Sequence, residues 1–247
     1  MKKQIEVMLL VVAALTLLPA LPIHAEGDEQ IPLSPIAIPQ FVDPLPIPTI
    51  VDGTQPLTLS MCEFKANVLS TGTFVPGVQP ETWVWGYVPG TACPSTTQGT
   101  YTGPVIVAQR GVPSLVTFIN NLGYVSTSHV LAYKNPTDRT LHWADPLNKE
   151  QNACSEELHE GMPPVGECAQ NYDGPIPAVV HLHGGDVPAE LDGGPDAWFT
   201  SDGLYQGHGY YSFPGTGGPG SNMAVYRYPN NQEPAPIWFH DHTWRRT

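Results

Sequence analysis

The sequence predicts an all-β fold, and three observations carry that expectation. Glycine and proline number 24 and 28 among 247 residues, a density that long helices do not tolerate, because both residues break them. Apolar residues recur at period two in several short runs, the signature of half-buried strands. No long segment repeats its apolar residues at helical spacing. Hydrophobic residues make up 41% of the chain, enough to bury a core, so the strands are expected to pack as an antiparallel β-sandwich. Lys and Arg total 10 against 23 Asp and Glu, for a formal charge of −13. With no basic cluster, nucleic acid is excluded as a partner and an anionic membrane surface is disfavoured.

The chain opens with Met1, Lys2 and Lys3, continues through an apolar run over 7–18, and reaches a small residue at Ala25. This is the layout of an export signal over residues 1–25. The apolar run is too short for an ordinary transmembrane helix, and no later stretch approaches its length. The expectation is therefore an exported chain (periplasmic, cell-surface or secreted) with no membrane attachment after cleavage. Residues 26–50 form a Pro-rich lead, with prolines at 32, 35, 39, 44, 46 and 48. Such a segment has few free N–H groups and is expected to run extended along the surface rather than enter a sheet.

The main domain is expected over 51–242. Residues 57–64 read as a strand, and 81–87 as another, with Trp83 and Trp85 at period two. Residues 104–109, a turn at Gly111 and residues 114–120 read as a pair of strands. The polar, turn-rich stretch 148–174 reads as an insertion loop. Short strands are expected at 179–183 and 237–242. Of the four cysteines, Cys62, Cys93, Cys154 and Cys168, none sits in a CxxC. An even number in an exported chain permits two disulfides in three connectivities. The favoured pairing joins Cys154 to Cys168 across the local turn segment, leaving Cys62 with Cys93. Free buried thiols are the alternative.

Nine histidines are present, and four of them form two tight pairs: Val-Val-His181-Leu-His183-Gly-Gly and Ile-Trp-Phe-His240-Asp-His242-Thr. Residues i and i+2 of a strand share a face, so each pair projects two imidazoles side by side. Imidazole suits copper, zinc, iron and nickel. One His-X-His is commonly just two partly exposed histidines, whereas two pairs after apolar runs point to a metal centre. A cupin-type mononuclear site would need a Glu a few residues after the first pair. Glu190 comes seven positions after His183, and the second pair has no cupin role. A polynuclear copper cluster fits better. His24, His129, His142, His159 and His208 lack paired partners and read as surface or hydrogen-bonding residues. Trp198 and Trp238 read as packing residues.

The segments Val179-Val-His-Leu-His-Gly-Gly185, Asp192-Gly-Gly-Pro-Asp-Ala-Trp198 and Trp238-Phe-His-Asp-His242 resemble the N-terminal cupredoxin domain of a multicopper oxidase, in the branch of bacterial spore-coat laccases and bilirubin oxidases. Phe41-Val-Asp-Pro-Leu-Pro-Ile-Pro48, Trp85-Gly-Tyr87, Gly103-Pro104, Val116-Thr-Phe-Ile-Asn-Asn-Leu122 and Tyr226-Arg-Tyr-Pro-Asn230 extend the likeness over about 41–242. The resemblance implies a cupredoxin-like Greek-key β-sandwich and copper as cofactor. It implies that His181 ligates a type 2 copper and that His183, His240 and His242 ligate type 3 coppers. Together these would be half of the ligands of a trinuclear centre. It implies that Asp192 is an acidic residue supplying protons beside that centre. Asp241, between two ligands, is expected to face the other way in a supporting role.

The partners implied are dioxygen and a reducing substrate such as a phenol, a bilirubin-like pigment or a metal ion. The family's type 1 copper site combines Cys with His, and no cysteine here has a histidine neighbour. The end of the chain, 243–247, does not resemble the family's continuation and reads as a truncation. The chain alone is therefore expected to lack turnover, and its uncovered cluster face is expected to favour self-association. Two other functions stand beside the oxidase reading: a non-catalytic exported copper-binding protein and, further off, the cupin-type metalloenzyme.

Overall fold

A computed structural model of the chain describes residues 34–73, 81–130 and 174–243. The expected signal segment, Cys154, Cys168, His24, His142, His159 and nearly all of 148–174 lie outside the described residues. Those described fall in one unit, Pro32–Thr247.

The described residues are strands, turns and short 3-10 segments, as the composition predicts. Ten strands follow in order: β1 (Ile50–Asp52), β2 (Leu57–Asn67), β3 (Glu81–Pro89), β4 (Val105–Val107), β5 (Ser114–Asn121), β6 (Pro177–Ala178), β7 (Val180–His183), β8 (Phe199–Thr200), β9 (Met223–Tyr228) and β10 (Trp238–Asp241). The largest sheet has the order β3-β2-β5-β9. Its inner face presents Leu59, Met61, Val116, Phe118, Ala224 and Tyr226, all buried. Against this face pack Ala178 of β6, Val180 of β7, Phe199 of β8 and the partly buried Leu182 and Phe239 of β7 and β10. The result is a two-layer β-sandwich.

Two expectations change. The sandwich is mixed rather than antiparallel: β2 runs parallel to β5 and β1 runs parallel to β4. Parallel neighbours need a long crossover, and the chain between β2 and β5 supplies one through β3 and β4. Residues 105–107 and 114–121 do not pair with each other either. The Gly111 turn carries the chain from one sheet to another, since β4 joins β1 whereas β5 sits between β2 and β9. Period two marks a strand but does not name its neighbour. Among the described residues of the Pro-rich lead there is one 3-10 turn, Pro35–Ala37, and the first strand begins at Ile50. Phe41 and Leu45 in it are fully or almost fully exposed.

The outer face of the large sheet buries Cys62, Phe64 and Ala66 with Val84 and Val88. Cys62 is disulfide-bonded to Cys93, with their Cα atoms 5.5 Å apart. The bond fastens the segment after β3 back onto β2. Farther along, the backbone of Gln98 exchanges hydrogen bonds with Lys65 and Asn67 of β2.

Two polar side chains hold the layers in place. Asn120 is fully buried in β5, and its amide donates to the carbonyls of Ile176 (2.8 Å) and Phe199 (2.9 Å) in the opposite layer. Its Oδ1 accepts the Leu122 N–H. Glu63, at the end of the same inner face, accepts the Trp85 indole N–H, the Ser128 hydroxyl and the His129 backbone N–H, and its Oε1 lies 2.9 Å from His129 Nδ1. Burial pushes the Glu63 carboxyl up, but the hydrogen bonds from Ser128, His129 and Trp85 outweigh it and hold it below the usual glutamate range. The His129 ring stacks on Trp83 with centroids 4.0 Å apart, so this histidine does have a hydrogen-bonding and packing role.

Asn120→Ala leaves two buried carbonyls without donors and is expected to cost about 3 kcal/mol in urea unfolding. Glu63 gives a pH dependence of definite sign. Its depressed folded-state pKa contributes stability that is present above the usual glutamate value and is lost as pH falls through the folded value. Unfolding measured between pH 6 and 3 should therefore show a steeper loss in the parent than in Glu63→Gln. Identical slopes would remove this role from Glu63.

A histidine cluster on paired strands

The two His-X-His segments are neighbours in space. β7 and β10 pair antiparallel with Trp238 opposite His183, Phe239 opposite Leu182, His240 opposite His181 and Asp241 opposite Val180. Directly opposed residues of an antiparallel pair lie on the same face. One face of this ribbon therefore carries His181, His183, His240 and Trp238, and the other carries Val180, Leu182, Phe239 and Asp241. The apolar face is anchored in the core. Phe239 meets Tyr87 edge to face at 4.9 Å and lies 6.4 Å from Phe118. The apolar residues between the histidines thus decide which way the imidazoles point.

The ring centroids of His181 lie 5.5 Å from His183, 5.3 Å from His240 and 4.6 Å from His242. Ligand nitrogens of His181, His183 and His240 all fall within 4.8 Å of one another. His183 Nδ1 approaches His240 Nε2 at 3.2 Å. His242 follows the last residue of β10, donates its backbone N–H to Val179 and stacks its ring on His181.

Backbone carbonyls fix three of the rings. His181 Nδ1 donates to Asp192 O at 2.5 Å, His242 Nδ1 donates to Gly193 O at 3.2 Å, and His240 Nδ1 donates to Asp241 O at 2.8 Å. A ring that donates from Nδ1 carries its free lone pair on Nε2, so in these three imidazoles Nε2 is the nitrogen left open to a metal. This donor set fits a nitrogen-preferring transition metal such as copper.

Asp192 approaches His181 as the resemblance implies, but mainly by its main chain. Its carbonyl holds the ring, while its half-exposed carboxylate lies 3.4 Å from the same Nδ1. The acidic motif therefore contributes a second feature, which residue chemistry alone does not reveal. Gly193 has φ +70°, and a Cβ on it would lie 2.0 Å from Val180 O. Only glycine brings the 192–193 carbonyls this close to β7. The signal was the Gly-Gly after Asp192. Gly184, φ +82°, turns the chain immediately after the first pair.

The other residues sort cleanly. Trp198 is buried with Val179 and Ala197 and does pack. Trp238 is 58% exposed, and its ring lies 4.9 Å from His183 and 4.5 Å from His240. It borders the cluster instead of filling the core, because it stands opposite His183 on the imidazole face. His208 is exposed in its glycine-rich loop, and Glu190, in the 3-10 turn Ala189–Leu191, is not among the cluster residues. No helix among the described residues is long and apolar enough to cross a membrane.

No protein-family model matches the chain. It is 29% identical to a laccase of Bacillus subtilis (strain 168) over 220 residues, covering 86% of this chain and 31% of that protein. It is 34% identical to the multicopper oxidase LPR1 homolog 1 of Oryza sativa subsp. japonica over 148 residues, covering 60% of this chain and 18% of that protein. Among solved structures, a laccase from Pediococcus acidilactici aligns with a TM-score of 0.38 at 17% identity, covering 83% of this chain and 27% of that one. The chain spans less than a third of the length of these relatives. The histidine motifs and the sequence matches agree: this chain is similar to laccases and other multicopper oxidases over part of their length.

Gly193→Ala is expected to destabilise the protein by at least about 3 kcal/mol, because it adds backbone strain to a main-chain clash. Gly194→Ala, with open space around the new methyl, should stay within about 0.5 kcal/mol of the parent. Thermal unfolding of the two variants side by side checks this, and equal effects would contradict the close approach.

Proposed function

We propose that this chain is a copper-binding domain of a laccase-like oxidase, and that His181, His183, His240 and His242 supply half of the ligands of its oxygen-reducing centre. The observation that carries this reading is the convergence of His181, His183 and His240 within 4.8 Å on one face of a two-stranded ribbon. In the family's scheme His181 serves a type 2 copper and the other three serve type 3 coppers. Copper, when bound, supplies the one-electron redox chemistry through which dioxygen is reduced to water at the expense of a phenol, a bilirubin-like pigment or a metal ion. The chain's own contribution is geometric. The carbonyls of residues 192, 193 and 241 direct Nε2 of three rings toward the shared face. In the same family scheme Asp192, whose carboxylate lies 3.4 Å from His181 Nδ1, is the acidic residue that supplies protons beside the centre.

The domain plan belongs to the same reading: an export segment over 1–25, a Pro-rich lead over 26–50, and the cupredoxin-like domain over 51–242 with an insertion near 148–174. Export is consistent with the disulfide between Cys62 and Cys93. A second function fits the isolated chain: copper binding without turnover. It is favoured by the exposure of the cluster, where His183 and Trp238 face solvent. The same open face gives a surface for self-association.

Calorimetric titration of the chain with Cu(II) tests the proposal. The parent should bind Cu(II) in preference to Zn(II), in the order of divalent affinities. A His181→Ala/His183→Ala double variant should lose at least about tenfold in affinity. The copper-loaded chain should show no intense thiolate-to-copper band and should not oxidise a phenolic dye. Equal Cu(II) affinity in parent and double variant would overturn the metal site. A blue, dye-oxidising chain would overturn the non-catalytic reading.

A further inference from the structure

β10 ends at Asp241, so His242 lies beyond the last paired residue of the ribbon, where a strand end would ordinarily fray. Its ring is nevertheless stacked on His181 at 4.6 Å with an interplanar angle of 22°. The side chain on the opposite face accounts for this order. Asp241 Oδ1 accepts the backbone N–H of Val179 at 2.9 Å and the hydroxyl of Thr243 at 3.0 Å. Val179 is fully buried and packs with Ala197 and Trp198, so it is a fixed anchor. Its carbonyl accepts the His242 N–H, so both polar groups of the Val179 peptide backbone are used to hold the chain at residues 241 and 242. One carboxylate oxygen thereby ties the residue before His242 to the core and the residue after His242 back onto itself.

We propose that Asp241 is a positioning residue for His242: its carboxylate brackets the chain around His242 and so places that imidazole beside His181, where the paired part of the ribbon ends. The proposal rests on the reading of His242 as a metal ligand. It separates the four histidines into two groups by what holds them. His181, His183 and His240 lie within the paired part of the β7–β10 ribbon, whereas His242 keeps one further main-chain bond of that register, to Val179, and has the Asp241 carboxylate behind it. These two donors are neutral, so an acceptor oxygen at that place serves them whether or not it is charged.

The test is a double-mutant cycle read by Cu(II) binding to the full chain, using the metal ion alone as probe. Asp241→Ala and His242→Ala should each weaken Cu(II) binding by the same factor, about tenfold. The double variant should bind no more weakly than His242→Ala alone, because Asp241 acts through that ring. Asp241→Asn keeps the acceptor oxygen and should bind within roughly twofold of the parent. Circular dichroism precedes each titration. If the Ala variant does not fold, Asp241→Glu, which keeps the charge but displaces the oxygens by one methylene, replaces it with the same expected loss. Losses that add in the double variant would show that Asp241 acts on the whole fold and would overturn the proposal. So would parent-like binding by Asp241→Ala beside weakened binding by His242→Ala. Parent-like binding by His242→Ala would instead defeat the assignment of His242 as a ligand, and the positioning role with it.

Discussion

The pairing of β7 with β10 is the constraint on which the site depends. Its register sets His181 against His240 and His183 against Trp238, and a slip of one residue would turn every imidazole into the core. The register is held from behind. Leu182 and Phe239 are themselves opposed and pack into the core, with Phe239 against Tyr87 and Phe118. Burying such side chains is worth roughly 1.5–3 kcal/mol each, enough to exclude a shifted pairing. The hydrophobic effect on one face of the ribbon thus sets the arrangement of imidazoles on the other.

The second requirement is directional. Strand geometry brings imidazoles together but does not decide which nitrogen faces inward. That choice falls to the carbonyls of residues 192, 193 and 241, each accepting from an Nδ1. The first two come from the segment after the 3-10 turn Ala189–Leu191. That segment reaches β7 closely because Gly193 has no side chain and adopts a positive φ. The turn's Leu191 is buried in the main core, so the same packing that builds the sandwich places the carbonyls.

Much of this was legible in the sequence. Period two in His-X-His fixes that each pair shares a face, and the apolar neighbours fix that the face is not the core. The all-β class followed from glycine, proline and alternation. What the sequence did not disclose was partnership. Residues 104–109 and 114–120 read as a pair of strands, yet they enter different sheets, because alternation is a property of one strand and pairing is a property of two. Glu63 and Asn120 gave no local signal, since their hydrogen-bond partners lie dozens of residues away at Trp85, Ser128, Ile176 and Phe199. Asp192 was legible as an acidic residue beside the site, but its carbonyl is the atom that meets the ring. Trp238 reads as a core aromatic until the register places it opposite His183.

The central claim, that the ribbon of β7 and β10 gathers its histidines to hold copper, is tested most directly by anomalous diffraction from crystals of the chain grown with Cu(II) and measured at the copper edge. The account predicts the strongest anomalous peak on the imidazole face of the ribbon, within bonding distance of nitrogens from His181, His183 or His240. A strongest peak at His129, at His208 or among surface carboxylates, with the ribbon histidines unmetallated, would contradict it.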